Sequence, residues 1–117
     1  KGKHVWANGN IYEGEFIDDK RTGKGKFIWT DGIIYEGDFV EGVRTGKGKI
    51  TGVNGNIYEG DFKDDKRTGK GKIIWANGDV YEGELVDDKI TGYGTMTKNG
   101  ETQTGYFEDG VLKEDTE

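Results

Sequence analysis

The chain has no cysteine, no proline and one histidine among its 117 residues. Without cysteine there is neither a disulfide framework nor a thiolate metal site. With only His4 and scattered threonine hydroxyls, there is little from which to build a nucleophile and its base. No apolar run approaches the roughly 20 residues of a membrane span, and no signal-peptide pattern is present. The expected setting is therefore cytoplasmic, with peripheral membrane or cytoskeletal attachment as the alternative. Hydrophobic residues make up only 31% of the chain and charged residues 34%, too lean a mixture for a thick two-layer core. Aromatics nonetheless reach 12%, which argues against a disordered chain. The 22 glycines show no three-residue period, so they are not collagen-like and point to tight turns or close backbone approach. The net charge of −6 is uneven: residues 81–117 carry ten acidic and three basic side chains. That acidic end argues against nucleic acid as a partner.

What the chain does have is repetition. Tyr12, Tyr35, Tyr58 and Tyr81 are spaced 23 residues apart. The units starting at Tyr12 and Tyr58 agree at 16 of 23 positions. Each unit holds two alternating segments, Tyr-Glu-Gly-acid-Phe and Gly-Lys-Gly-Lys-apolar-apolar-Trp, and strict alternation predicts strands. Short turns of the type Thr30-Asp31-Gly32 join them on one side, and DDKRT, a longer polar loop, joins them on the other. A three-residue turn closed by a left-handed glycine sets the register. It places Gly25 opposite Gly37, Phe27 opposite Tyr35, Lys26 opposite Glu36 and Lys24 opposite Asp38. The last hairpin is one residue shorter, and a two-residue Asn99-Gly100 turn keeps Gly94 opposite Gly105 and Tyr93 opposite Tyr106. One face then carries rings and glycines, the other a ladder of lysines and acids. About ten strands at roughly 4.8 Å spacing make a ribbon on the order of 45 Å long.

YEGEF, then D-K-x-T-G-K-G, then W-x-[DN]-G at this period resembles the MORN (membrane occupation and recognition nexus) repeat over nearly the whole chain. The resemblance implies an all-β fold, an elongated single-layer twisted antiparallel meander of 23-residue β-hairpin repeats. The array is expected over 1–110, as a partial first unit, three full units and two degenerate C-terminal units, with a polar acidic tail over 111–117.

Several motifs invite chemistry. TGKGK at 22–26 has the composition of a phosphate loop, but the spacing is wrong for one and no helix follows. The pairs Asp18-Asp19, Asp64-Asp65 and Asp87-Asp88 do not match a calcium loop and read as turn residues. His4 occupies the phase of Phe27 and reads as a ring of the aromatic ladder. Glu13 and Glu15 share a face with lysines, without the desolvated pocket a general acid needs. No enzyme, cofactor or metal site is expected. Lys20, Arg21, Arg44, Lys66 and Arg67 are the candidates for binding a phosphoinositide or another anionic lipid, although acidic neighbours adjoin them and no amphipathic helix or lipidation motif accompanies them. Tyr12, Phe16, Phe27, Trp29, Tyr35, Phe39, Tyr58, Phe62, Trp75 and Tyr81 line an aromatic face which a single-layer sheet cannot fully cover, and such faces receive protein or peptide partners. Gly52 stands where Trp6, Trp29 and Trp75 mark the other units, leaving a gap or a local bend. The expected function is a non-catalytic protein-interaction scaffold. The alternatives are anionic-membrane binding and a targeting module of a larger enzyme. An end of the array is a further candidate surface, for a homodimer.

Overall fold

Alternation of ring and charge, broken every few residues by a turn, leaves the backbone one economical solution: consecutive hairpins laid side by side. In the computed structural model, which describes residues 2–115, these form eleven strands: β1 (Gly2–Val5), β2 (Ile11–Ile17), β3 (Lys20–Ile28), β4 (Ile34–Val40), β5 (Val43–Thr51), β6 (Ile57–Lys63), β7 (Lys66–Ile74), β8 (Val80–Val86), β9 (Lys89–Lys98), β10 (Glu101–Glu108) and β11 (Val111–Asp115). They make one antiparallel sheet in chain order, with no helix among the described residues. Its longest dimension is 49 Å. The eleventh strand pairs with β10 where the sequence suggested only a tail. The remainder of that tail, 116–117, and residue 1 lie outside the described residues.

The expected register is observed. Gly25 faces Gly37, Phe27 faces Tyr35, Lys26 faces Glu36 and Lys24 faces Asp38. The same pairing recurs at Lys47 with Asp61 and Lys70 with Glu84. At the last hairpin Gly94 faces Gly105 and Tyr93 faces Tyr106. The short turns close as predicted: the Gly32 amide donates to the Trp29 carbonyl at 3.0 Å, and Gly32 has φ 97°.

The other connection differs from expectation. DDKRT is not a long loop. Asp18 and Asp19 alone form the turn, both with left-handed φ (51° and 62°), and β3 already begins at Lys20. Two left-handed residues match the right-handed twist of a hairpin, and aspartate tolerates that conformation. The extra length of the β-strand that follows is absorbed as a bulge opposite the Gly14–Glu15 step, repeated opposite Gly37–Phe39, Gly60–Phe62 and Gly83–Leu85.

The bulges explain the acids Asp38, Asp61 and Glu84, each of which accepts from a bulge amide of the next strand. Asp38 Oδ2 accepts from the Lys47 amide at 3.0 Å, and its other oxygen meets Lys24 Nζ at 2.5 Å. Asp61 repeats this with the Lys70 amide and the Lys47 ammonium. Lys24 and the Lys47 amide hold the Asp38 carboxyl below the ordinary carboxylate range, and Lys47 does most to hold Asp61 down. A depressed carboxylate contributes stability that is present above the unfolded value of about 3.9 and is lost as pH falls through the lower folded value. The urea midpoint is therefore expected to drop as pH falls below about 4. In Asp38→Asn plus Asp61→Asn the midpoint should be lower at neutral pH and its acid slope shallower. Parallel acid slopes for the two proteins would remove these carboxylates from the account.

Candidate functional site

The ring-bearing face is two layers deep. The lower layer is a herringbone of tyrosine and phenylalanine. Tyr12 meets Phe16 and Phe39 edge-on at 4.9 and 5.3 Å, and Tyr35 meets Phe39 and Phe62, each at 5.1 Å. Tyr58 on Phe62 continues the row, and Tyr81 on Phe107 ends it. T-shaped pairs at these distances suit the ring quadrupole. Each tyrosine lies flat across a cross-strand glycine pair and donates its hydroxyl to the carbonyl three residues on, as Tyr35 does to Asp38 at 2.9 Å. Burial pushes the Tyr35 and Tyr58 hydroxyls up to about 12, against the ordinary value of 10.

This layer decides the standing of the residues singled out by sequence. Tyr12, Phe27, Tyr35, Phe39, Tyr58, Phe62 and Tyr81 are buried, so they are core and not surface. Phe16, Trp29, Trp75 and Gly52 remain partly accessible. The rings cover one another edge-on, and over Phe27, Tyr35, Phe39, Tyr58 and Phe62 arginines lie as well.

Arg21, Arg44 and Arg67 stand near the starts of β3, β5 and β7 and reach over the rings. Arg21 sits 5.8, 5.0 and 5.3 Å from the ring centres of Trp6, Phe27 and Phe39. Arg44 takes the equivalent place over Trp29, Tyr35 and Phe62 at 5.7, 5.7 and 5.6 Å. Each is pinned from the next turn. The Arg44 Nη2 donates to the Asp65 carbonyl at 2.7 Å and its Nε to Asp65 Oδ1 at 3.1 Å, and Arg67 treats Asp88 in the same way. Arg21 Nη2 donates to the Gly42 carbonyl at 2.7 Å. Burial lowers the Arg21 pKa, with Asp65 opposing that shift. These three were expected on solvated loops. Parity carries the signal: Arg21 stands an even number of residues before Gly25, Phe27 and Trp29, and the bulge between Thr22 and Gly25 adds two residues, so an arginine on the ring face is readable once DDKRT is recognised as strand.

The proposed lipid-binding set is thus divided. Arg21, Arg44 and Arg67 turn onto the rings, while Lys20 and Lys66 point to solvent, Lys20 with Glu41 at 3.7 Å. TGKGK is strand in every copy, and His4 packs edge-on against Trp6 at 4.3 Å as a member of the ring row. Among the described residues no group of acidic and histidine side chains is arranged to hold a metal ion.

The upper layer has a gap where Gly52 takes the tryptophan place. Beside Gly52 there is a cavity of about 550 Å³, lined by Ile50, Gly52, Tyr58, Arg67, Ile73, Trp75 and Ile90 with Asp88, Lys89 and Asp109 among the polar groups at its edge. Gly52 stands in the tryptophan phase and Ile90 in the arginine phase. The sequence announced the first substitution. Its coincidence with the second appears only when β5, β7 and β9 are brought side by side.

The family model for the MORN repeat matches four consecutive stretches, residues 12–34, 35–57, 58–80 and 81–102. Among curated proteins, none matches the chain significantly.

Proposed function

The chain belongs to the MORN repeat family, and from that premise we propose that it is a non-catalytic scaffold that holds a protein partner on the tryptophan–arginine layer of its ring face. Repeats of this family are generally modules for interaction or membrane association. The observation that carries the protein reading is the half-buried row of Trp6, Trp29 and Trp75, packed on the buried core, with pinned Arg21 and Arg44 beside the first two. Rigid indoles and guanidiniums lose little freedom on binding, and tryptophan and arginine are the side chains that most often dominate interface energetics. Protein recognition also uses what lipid recognition could not, since the three arginines are already committed to rings and turn groups.

The test cannot use Tyr35 or Phe39, whose loss would open the core. Trp6→Ala plus Trp29→Ala leaves the buried herringbone intact and strips the layer above it. After a fold check by circular dichroism, that variant is expected to recover at least tenfold less partner in a quantitative pull-down, a loss of about 1.4 kcal/mol or more. Lys49→Gln plus Lys72→Gln changes exposed side chains of the opposite face and is expected to recover as much as wild type. The reverse order would place the partner on the charged ladder and defeat the reading.

A further inference from the structure

We propose that the cavity beside Gly52 receives an aromatic side chain of the protein partner, whose ring stacks on the Arg67 guanidinium in the place that Trp6 takes on Arg21 and Trp29 takes on Arg44. The inference rests on the reading of this face as a protein-binding surface and adds the chemistry of its central contact.

The chain supplies its own template. Arg21 and Arg44 each lie against three rings, the first of them an indole from the preceding unit. Arg67 lies against one, Tyr58 at 5.5 Å. Two substitutions account for the difference: Gly52 replaces the indole, and Leu85 stands in the phase of Phe39 and Phe62. Yet Arg67 is held as firmly as Arg44. Its Nη2 donates to the Asp88 carbonyl at 2.7 Å and its Nε to Asp88 Oδ1 at 3.2 Å. Its side chain is 29% exposed, against 21% for Arg44. A guanidinium fixed in orientation and bare on the side where its equivalents carry an indole is complementary in charge to the negative face of a π system.

The walls favour the same occupant. Ile50, Ile73, Ile90 and the indole of Trp75 offer apolar surface, and about 550 Å³ lies within the roughly 300–1,000 Å³ of side-chain and small-ligand pockets. Arg67 and Lys89 disfavour a cation, while Asp88 and Asp109 disfavour a carboxylate. An aliphatic side chain would fill the space without meeting the guanidinium. An aromatic ring satisfies both the apolar walls and the charge.

Filling the cavity from within should close it. Gly52 does not have a left-handed φ. A Cβ there would stand 3.1 Å from Asn54 Oδ1 and 3.5 Å from the Asn56 carbonyl oxygen, so a small movement of the Asn54 amide admits a side chain. The turn is built like its equivalents: the amide of Gly52 donates across it at 2.8 Å, as those of Trp29 and Trp75 do at 2.9 Å.

The experiment is a titration of the nitrogen-15-labelled chain with N-acetyl-tryptophanamide, N-acetyl-leucinamide and N-acetyl-argininamide, following the Trp75 indole and Arg67 Nε signals by NMR. The tryptophan probe is expected to shift both, with a dissociation constant on the order of a millimolar. It should bind roughly threefold more tightly than the leucine probe, the factor a partly exposed cation–π contact supplies. Gly52→Trp should abolish the shifts, and Gly52→Phe serves the same purpose if the larger ring disturbs the fold. Equal binding of the leucine probe, preference for the arginine probe, undiminished binding to the filled variants, or no shift at either signal would overturn the proposal. In the pull-down, a partner lost on Trp6→Ala plus Trp29→Ala but retained on Gly52→Trp leaves the face reading standing and removes the aromatic knob. A partner retained on both removes the two together.

Discussion

Gly48→Ala is expected to lower stability by about 3–5 kcal/mol, as much as deleting a large buried ring. Gly48 lies beneath Tyr35, and a Cβ added there would stand 2.6 Å from Tyr35 Cζ, with the hydroxyl and Cε1 closer still. Nothing on the far side gives way, because Tyr35 is fully buried between Phe39 and Phe62. One methyl group therefore displaces a whole ring and breaks its hydrogen bond to the Asp38 carbonyl. A domain of this size has roughly 5–15 kcal/mol of stability in all. Because each repeat is stabilised by its neighbours, the loss should concentrate at β4 and β5 and appear as lost amide protection there, alongside a lower urea midpoint. The decisive comparison is a double-mutant cycle. In a Tyr35→Ala background the added methyl meets no ring, so Gly48→Ala should then cost less than about 0.5 kcal/mol. Additive effects would show that Gly48 is needed for its backbone freedom and not for the space it leaves.

The same contact shows why so much of the fold was legible. A period of two, glycines in matched phases and paired lysines and acids left a single register that kept rings with rings, and Gly25 opposite Gly37 follows from it. Glycine and tyrosine are written into the same repeat because neither can be placed without the other. The site was less legible, for two physical reasons. The bulge here adds two residues to the longer strand, so Lys20 and Arg21 look like loop when they are already strand. Second, several rings that sequence offered as a surface, Phe27, Tyr35, Phe39, Tyr58 and Phe62, lie under Arg21, Arg44 and Arg67, a layer that is complete only once neighbouring hairpins are stacked. Asp65 binding Arg44 and Asp88 binding Arg67 are links of that kind, each joining one turn to the unit before it. Aspartates that looked like solvated turn residues thus also fix the layer that carries the candidate site.

Arg44→Ala is the sharpest test of that layer, with an expected loss of about 2–3 kcal/mol. The substitution removes contacts with three rings and two hydrogen bonds to Asp65, and it uncovers Tyr35 and Phe62. Arg44→Lys should recover less than half of the loss, because an ammonium has neither the flat face that stacks on rings nor the fork that reaches the carbonyl and the carboxylate of Asp65 together. Lys66→Ala, by contrast, removes an exposed charge and should change the unfolding free energy measured in urea by no more than about 0.5 kcal/mol. The contrast bears on function as well as on stability. If neutralising all the basic residues together abolished binding to anionic vesicles, the result would be ambiguous, since the arginines would take the ring face with them. Lys20→Ala plus Lys66→Ala alone leaves the fold in place and asks the lipid question cleanly. An Arg44→Ala protein as stable as wild type would mean that this guanidinium is a free surface charge, open to a phosphate headgroup, and the case for a protein-binding ring face would lose its rigid layer.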